Sequence, residues 1–126
     1  MLIFAGKSSA MTLAQFQEYC IALPGVTEEF PFGDEILVYK VRGKVFALGG
    51  ITEFSSINLK SDPDEAIELR ERYEGVTPGY HMNKKHWNTV DLHAGISNRL
   101  IMEWIRKSYD LVVASLPKKE REKLGK

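Results

Sequence analysis

Apolar residues recur along this chain with two different periods, and the switches between them mark its elements. From Thr12 to Leu23 the apolar positions Leu13, Phe16, Cys20 and Leu23 fall on one face at helical spacing. Thr12 with Gln15 three residues later fits a capping box, in which each side chain satisfies the other's backbone N–H, and Pro24-Gly25 stops the helix. Glu35 to Val41 and Lys44 to Leu48 are rich in β-branched and aromatic residues. Arg42-Gly43 between them predicts a tight hairpin turn, and Gly49-Gly50 closes the second strand. Ser56 to Lys60 alternates, Ile57 and Leu59 on one side, Asn58 and Lys60 on the other, so one face of the sheet is expected to be wet.

Asp62-Pro63-Asp64-Glu65 predicts a second helix start, with Asp62 as cap, Pro63 in the first turn and Glu65 completing a capping box. Ala66, Leu69 and Tyr73 form its inner face and Gly75 ends it. Val76 to Lys85 reads as loop with a Pro78-Gly79 turn, and Trp87 to Leu92 as a strand. Asn98 to Leu116, capped by Ser97, carries the longest stripe: Ile101, Ile105, Ser108, Val112 and Leu116, with Trp104 and Leu111 alongside. Pro117 breaks it, and the charged run that follows reads as solvated or frayed.

The order is helix, three meander strands, helix, strand, long helix. Short connections make the strands antiparallel neighbours, and a one-sided sheet needs its apolar face covered. The predicted fold is a two-layer α+β sandwich, an antiparallel sheet covered by helices. Residues 11–117 form one domain, residues 1–10 an extension with Met11 as an alternative start, and 118–126 a charged tail.

Composition narrows the function classes. The chain has 126 residues, 44% apolar and 27% charged, enough to bury a core without disulfides or metal. Lysine plus arginine and aspartate plus glutamate both number 17, so the formal net charge is +0. A dedicated nucleic-acid binder usually has a basic excess, so any basic patch must be local. The single cysteine, Cys20, excludes an internal disulfide and suits a reducing cytoplasm. Its place on an apolar stripe makes it a packed core thiol. No window approaches the ~20 apolar residues of a membrane span, so no membrane role is expected. Gly6-Lys7-Ser8 lacks the partner glycine of a phosphate loop, since Met1 stands at that position.

One segment is chemically dense. Residues 76–90 hold Tyr80, His81, Asn83, Lys84, Lys85, His86, Trp87 and Asn88, a concentration of rings, amides and cations more typical of a binding loop than of packing. With Phe30-Pro31-Phe32-Gly33, Asn58-Leu59-Lys60, Thr77-Pro78-Gly79-Tyr80-His81-Met82-Asn83-Lys84, His86-Trp87-Asn88 and Ser108-Tyr109-Asp110-Leu111-Val112, the chain resembles the MmcQ/YjbR family from Met11 to Leu116. The resemblance implies a CyaY-like, or frataxin-like, sheet backed by helices. It also implies DNA binding through a double-wing arrangement of β-hairpins, and it supplies no catalytic residue and no cofactor.

DNA binding would draw on Lys40, Arg42 and Lys44 at the hairpin turn together with Lys84, Lys85 and His86, with Tyr80, His81 and Trp87 available to stack on bases. The expected binding is weak and non-catalytic. The alternative is a small-molecule or peptide module, its groove closed by the 80–88 loop on one side and by Phe30 and Phe32 on the other. Phe30 and Phe32 also fit a simple packed corner. His81 and His86 are conceivable general bases with Asp91 as orienter, but no nucleophile has a recognisable setting. The carboxylates of the second helix, Asp62, Asp64, Glu65, Glu68, Glu71 and Glu74, interleave with Arg70 and Arg72 and read as a salt-bridged face, not a metal site. Trp87 shares a strand face with Thr89 and Asp91, opposite Asn88 and Val90. If Val90 faces the core, Trp87 lies on the open side of the sheet, either exposed beside the lysines or hidden under the loop.

Overall fold

The computed structural model describes residues 10–79 and 82–125. Its elements are α1 (Leu13–Ile21), β1 (Val26–Glu29), β2 (Ile36–Val41), β3 (Lys44–Gly50), β4 (Ser56–Lys60), α2 (Pro63–Arg72), β5 (Val76–Pro78), β6 (Trp87–Asp91), α3 (Asn98–Ala114) and α4 (Lys118–Glu122). The α+β pattern holds, with a six-stranded open antiparallel sheet among the described residues in the order β1-β2-β3-β4-β6-β5.

Local chemistry explains the element boundaries. Thr12 caps α1 with the full box: its Oγ1 accepts the Gln15 N–H at 3.1 Å, and Gln15 Oε1 accepts the Thr12 N–H at 2.9 Å. Asp62 caps α2 by accepting from the N–H groups of Asp64 and Glu65. The expected return half of that box is replaced, because the Glu65 carboxylate accepts from Lys107 Nζ at 2.7 Å. The β2–β3 hairpin turns on Arg42 and Gly43 with φ of 48° and 87°, the two left-handed residues that a two-residue turn between twisted strands requires.

Several element boundaries differ from those the sequence predicts. Val26–Glu29, to which the sequence pattern assigns no element, is a strand paired with β2. Val76–Pro78 is a strand at the other edge, paired with β6, where loop was expected. β3 runs two residues beyond Leu48 and ends on Gly49 and Gly50, which pair with Leu37 and Ile36 of β2. Gly75 is not a left-handed cap: a Cβ there would meet the Ala94 Cβ at 2.5 Å, so the residue lets the α2–β5 turn pass close to the 94–96 segment. Beyond Pro117 the charged tail is helical as α4, and Leu124 packs against the core.

The main core lies between the sheet and the helices. Leu37, Tyr39, Phe46, Ile57, Leu59 and Val90 from the strands meet Phe16, Cys20, Ile101, Ile105 and Tyr109 from α1 and α3. A bulge where the β2–β3 register shifts makes Phe46 an extra residue, so that Phe46 and Ala47 both face the helices. Ser108, the polar member of the α3 stripe, is fully buried: its Oγ accepts the Lys60 N–H at 2.9 Å and donates to the Phe46 carbonyl at 2.6 Å. The opposite face of the sheet carries a smaller apolar cluster, Val38, Leu48 and Trp87, joined by half-buried Ile36, Val45 and Met82.

Candidate nucleic-acid interface

Strand direction decides which of the candidate side chains meet. The register pairs Val41 with Lys44, Ala47 with Leu59, and Lys60 with Trp87. The β2–β3 turn, the end of β4 and the start of β6 therefore share one end of the sheet. The β5–β6 loop, residues 79–86, closes that same end, since Pro78 pairs with Asn88.

This end collects Arg42, Lys44, Lys60, Asn83, Lys84, Lys85 and His86. The loop is held by backbone bonds. Gly79 N donates to the Trp87 carbonyl at 2.9 Å and Trp87 N to the Asn83 carbonyl at 2.9 Å, while the Asn83 side chain accepts the Lys85 N–H at 2.9 Å. Ser61 N donates to the His86 carbonyl at 2.7 Å, which joins the loop to the β4 exit. Arg70 of α2 staples the arrangement from behind, its guanidinium donating to the Asn88 Oδ1 at 2.6 Å and to the Lys84 carbonyl. Lys84 and Lys85 are thus presented outward by a loop whose backbone is tied on three sides.

Not every cation here carries free charge. Arg42 Nε lies 2.8 Å from Glu120 Oε1 of α4, and Arg42 with Lys123 holds the Glu120 carboxyl below its ordinary range. Among the described residues the ammonium groups of Lys44, Lys60 and Lys85 have no salt-bridge partner.

Several candidates leave the site. Lys40 points from the body of β2 to Glu29, 3.1 Å away, and the Thr27 hydroxyl first, then the Lys40 ammonium, lower the Glu29 pKa. Trp87 is only 8% exposed: it lies on the open face, as alternation requires, but under Val38, Leu48 and Met82, so its ring is not offered to bases. Asn88 is 2% exposed and structural, its Nδ2 donating to the Ala66 carbonyl at 3.1 Å. Phe30 and Phe32, 45% and 67% exposed, are neither a packed corner nor a wall facing the loop. They follow β1 at the end where Glu29 pairs with Val38 and Ile36 with Gly50, the opposite end of the sheet. A groove shared by these rings and the 79–86 loop is therefore excluded by topology. Tyr80 and His81 lie outside the described residues.

Sequence reasoning missed two contributors. Lys60 joins the basic end only once the β4–β6 register is known, and Arg70, read as a member of a solvated helix face, orients the loop. Cys20 is buried as expected, and burial together with the Glu28 charge pushes its thiol pKa up, away from any thiolate chemistry. Among the described residues no group of three or more histidine, cysteine or acidic side chains could hold a metal ion, and no helix is long and apolar enough to cross a membrane.

Comparison with known proteins gives consistent relatives. A family model described as YjbR matches residues 21–111. Protein YbdF of Escherichia coli O157:H7, described as uncharacterised, is 40% identical over 105 residues, covering 82% of this chain and 86% of the relative. Protein YjbR of Escherichia coli K12, likewise described as uncharacterised, is 30% identical over 115 residues, 90% of this chain and 98% of the relative. Among solved structures, Deinococcus radiodurans protein DR2400 superposes with a TM-score of 0.86 at 40% identity, over 92% of this chain and 89% of that one. A Pseudomonas syringae protein follows at 0.68 and 27%, over 80% of this chain and 98% of that one.

Proposed function

The chain belongs to the YjbR family, and from that premise we propose that it is a weak, non-catalytic DNA-binding protein that grips phosphates with one end of its sheet. On this reading the sheet and its helices form a CyaY-like platform, and the β2–β3 hairpin and the 79–86 loop are the two projections that touch the backbone. The observation that carries the proposal is the convergence of Lys44, Lys60, Lys84 and Lys85 at one sheet end, three of them without a salt-bridge partner among the described residues. Neighbouring strands lie ~4.8 Å apart. The turn, the β4 exit and the loop therefore span about 10–15 Å, room for roughly four phosphates of one strand at ~3.4 Å each.

That contact count fixes the expected behaviour. Binding should be insensitive to base sequence, micromolar or weaker at physiological salt, with a log–log salt slope of about −3 to −4 on duplex DNA. No preference for single strands is expected from Trp87, whose ring is enclosed. Fluorescence anisotropy of a short labelled duplex, titrated at several salt concentrations, tests this. Lys44→Glu with Lys85→Glu should abolish binding for all sequences alike. Absence of binding by the native protein even at low salt refutes the proposal.

A further inference from the structure

The end of the sheet opposite the lysines has the reverse character. The turns and loops at 30–35, 51–55, 73–75 and 91–95 contain Asp34, Glu35, Glu53, Glu74 and Asp91 and no lysine or arginine. None of these five carboxylates is in an ion pair among the described residues. The same end carries Phe30 and Phe32, held apart by Pro31, the only exposed large aromatics among the described residues. The five carboxylates make this end acidic, whereas the other end sets Lys44, Lys60, Lys84 and Lys85 against Asp62 and Asp64 at the β4 exit. The two ends are separated by strands of five to seven residues, about 17–23 Å at ~3.3 Å per residue. Two Debye lengths at physiological salt amount to ~16 Å, so the ends do not neutralise each other within one molecule.

We propose that the protein associates with itself head to tail, the acidic Phe30/Phe32 end of one copy seating on the lysine end of the next. Charge complementarity selects this occupant, since the chain itself carries the matching surface. The lysine ammonium groups can lie over exposed phenyl faces as well as pair with carboxylates, and their aliphatic stems cover apolar ring surface. Such a contact joins unlike patches, so it extends into short chains rather than closing a two-fold dimer. It does not rest on DNA binding, but it uses the same lysines, so an anionic polymer that bound them would compete with it.

Sedimentation equilibrium of the full chain tests the inference. At ~0.01 M salt, where screening reaches only beyond ~30 Å, the weight-average mass should rise with concentration; at ~1 M, with a ~3 Å Debye length, it should return to the monomer. The monomer is 14.3 kDa. Lys44→Glu with Lys85→Glu leaves Lys60 and Lys84 against two new carboxylates together with Asp62 and Asp64, so both ends are acidic; Asp34→Lys with Glu35→Lys and Glu53→Lys leaves Glu74 and Asp91 against three new lysines, so both ends are basic. Each variant alone should stay monomeric at low salt, and an equimolar mixture should associate. Phe32→Ala, at a position 67% exposed and therefore safe for folding, should weaken the native association. Monomer mass for the native protein at low salt overturns the proposal. So does association that survives in either charge variant, or a mixture of the two that stays monomeric.

Discussion

Tyr39 shows how much a single enclosed group settles. Its ring is fully buried against Phe16 at 5.3 Å, edge to face, while its hydroxyl donates to Glu28 Oε2 at 2.6 Å. Burial first, then the Glu28 hydrogen bond and charge, push the phenol pKa well up. In the unfolded chain it is ~10. A pKa raised on folding means that the stabilisation is complete below about pH 10 and is lost as pH climbs toward the folded value. Tyr39→Phe should cost about 1 kcal/mol at neutral pH, the net worth of one hydrogen bond. It should also flatten the alkaline fall in stability, as urea melts at neutral and alkaline pH would show. Cys20 was legible at this scale: a thiol on an apolar stripe is core, and a thiol reagent should label it only as fast as the protein unfolds. Trp87 was not legible. Alternation put it on the open face, but whether that face was wet depended on Val38, Leu48 and Met82, which come from three other segments.

Among the elements, α1, α2 and α3 were readable, and the edge strands and the short α4 were not. The 17 residues of α3 give an amphipathic stripe several turns long, which no other pattern imitates. β1 and β5 have 4 and 3 residues. Their sequences, Val-Thr-Glu-Glu and Val-Thr-Pro, carry the charges and proline that keep sheet edges from pairing with other chains, and those same features hide them from a strand pattern. Ser108 is where α3 is tied to the sheet. Ser108→Ala would leave the Lys60 N–H and the Phe46 carbonyl without their partner, and a loss of about 1–3 kcal/mol is expected in chemical denaturation. Ile105→Asp, in contrast, places an unpaired charge at a position with no exposure and should abolish cooperative unfolding, seen as a flat calorimetric trace.

At the scale of the whole molecule, composition misleads and topology corrects it. A net charge of +0 argued against a polyanion partner, yet the strand register brings Lys44, Lys60 and the 84–85 lysines to one end of the sheet and Glu35, Glu53 and Asp91 to the other. That sorting could not be read from the sequence, because it depends on β6 lying beside β4 and on the edge position of β5. The members of the dense 76–90 segment divide: Trp87 and Asn88 turn inward, and Lys84 and Lys85 turn outward. Lys84→Ala with Lys85→Ala should leave stability within about 0.5 kcal/mol, as at ordinary surface positions. The loop is held through the Lys84 carbonyl and the Lys85 N–H, which alanine retains.

The most direct test of a phosphate-gripping sheet end is a heteronuclear NMR titration of the labelled protein with a short duplex at low salt. Amide shifts should move at 42–44, at 60–61 and at 83–86, and should stay still at 30–35 and 51–55. Shifts centred on Phe30 to Glu35, or no shifts at a saturating duplex concentration, would contradict it.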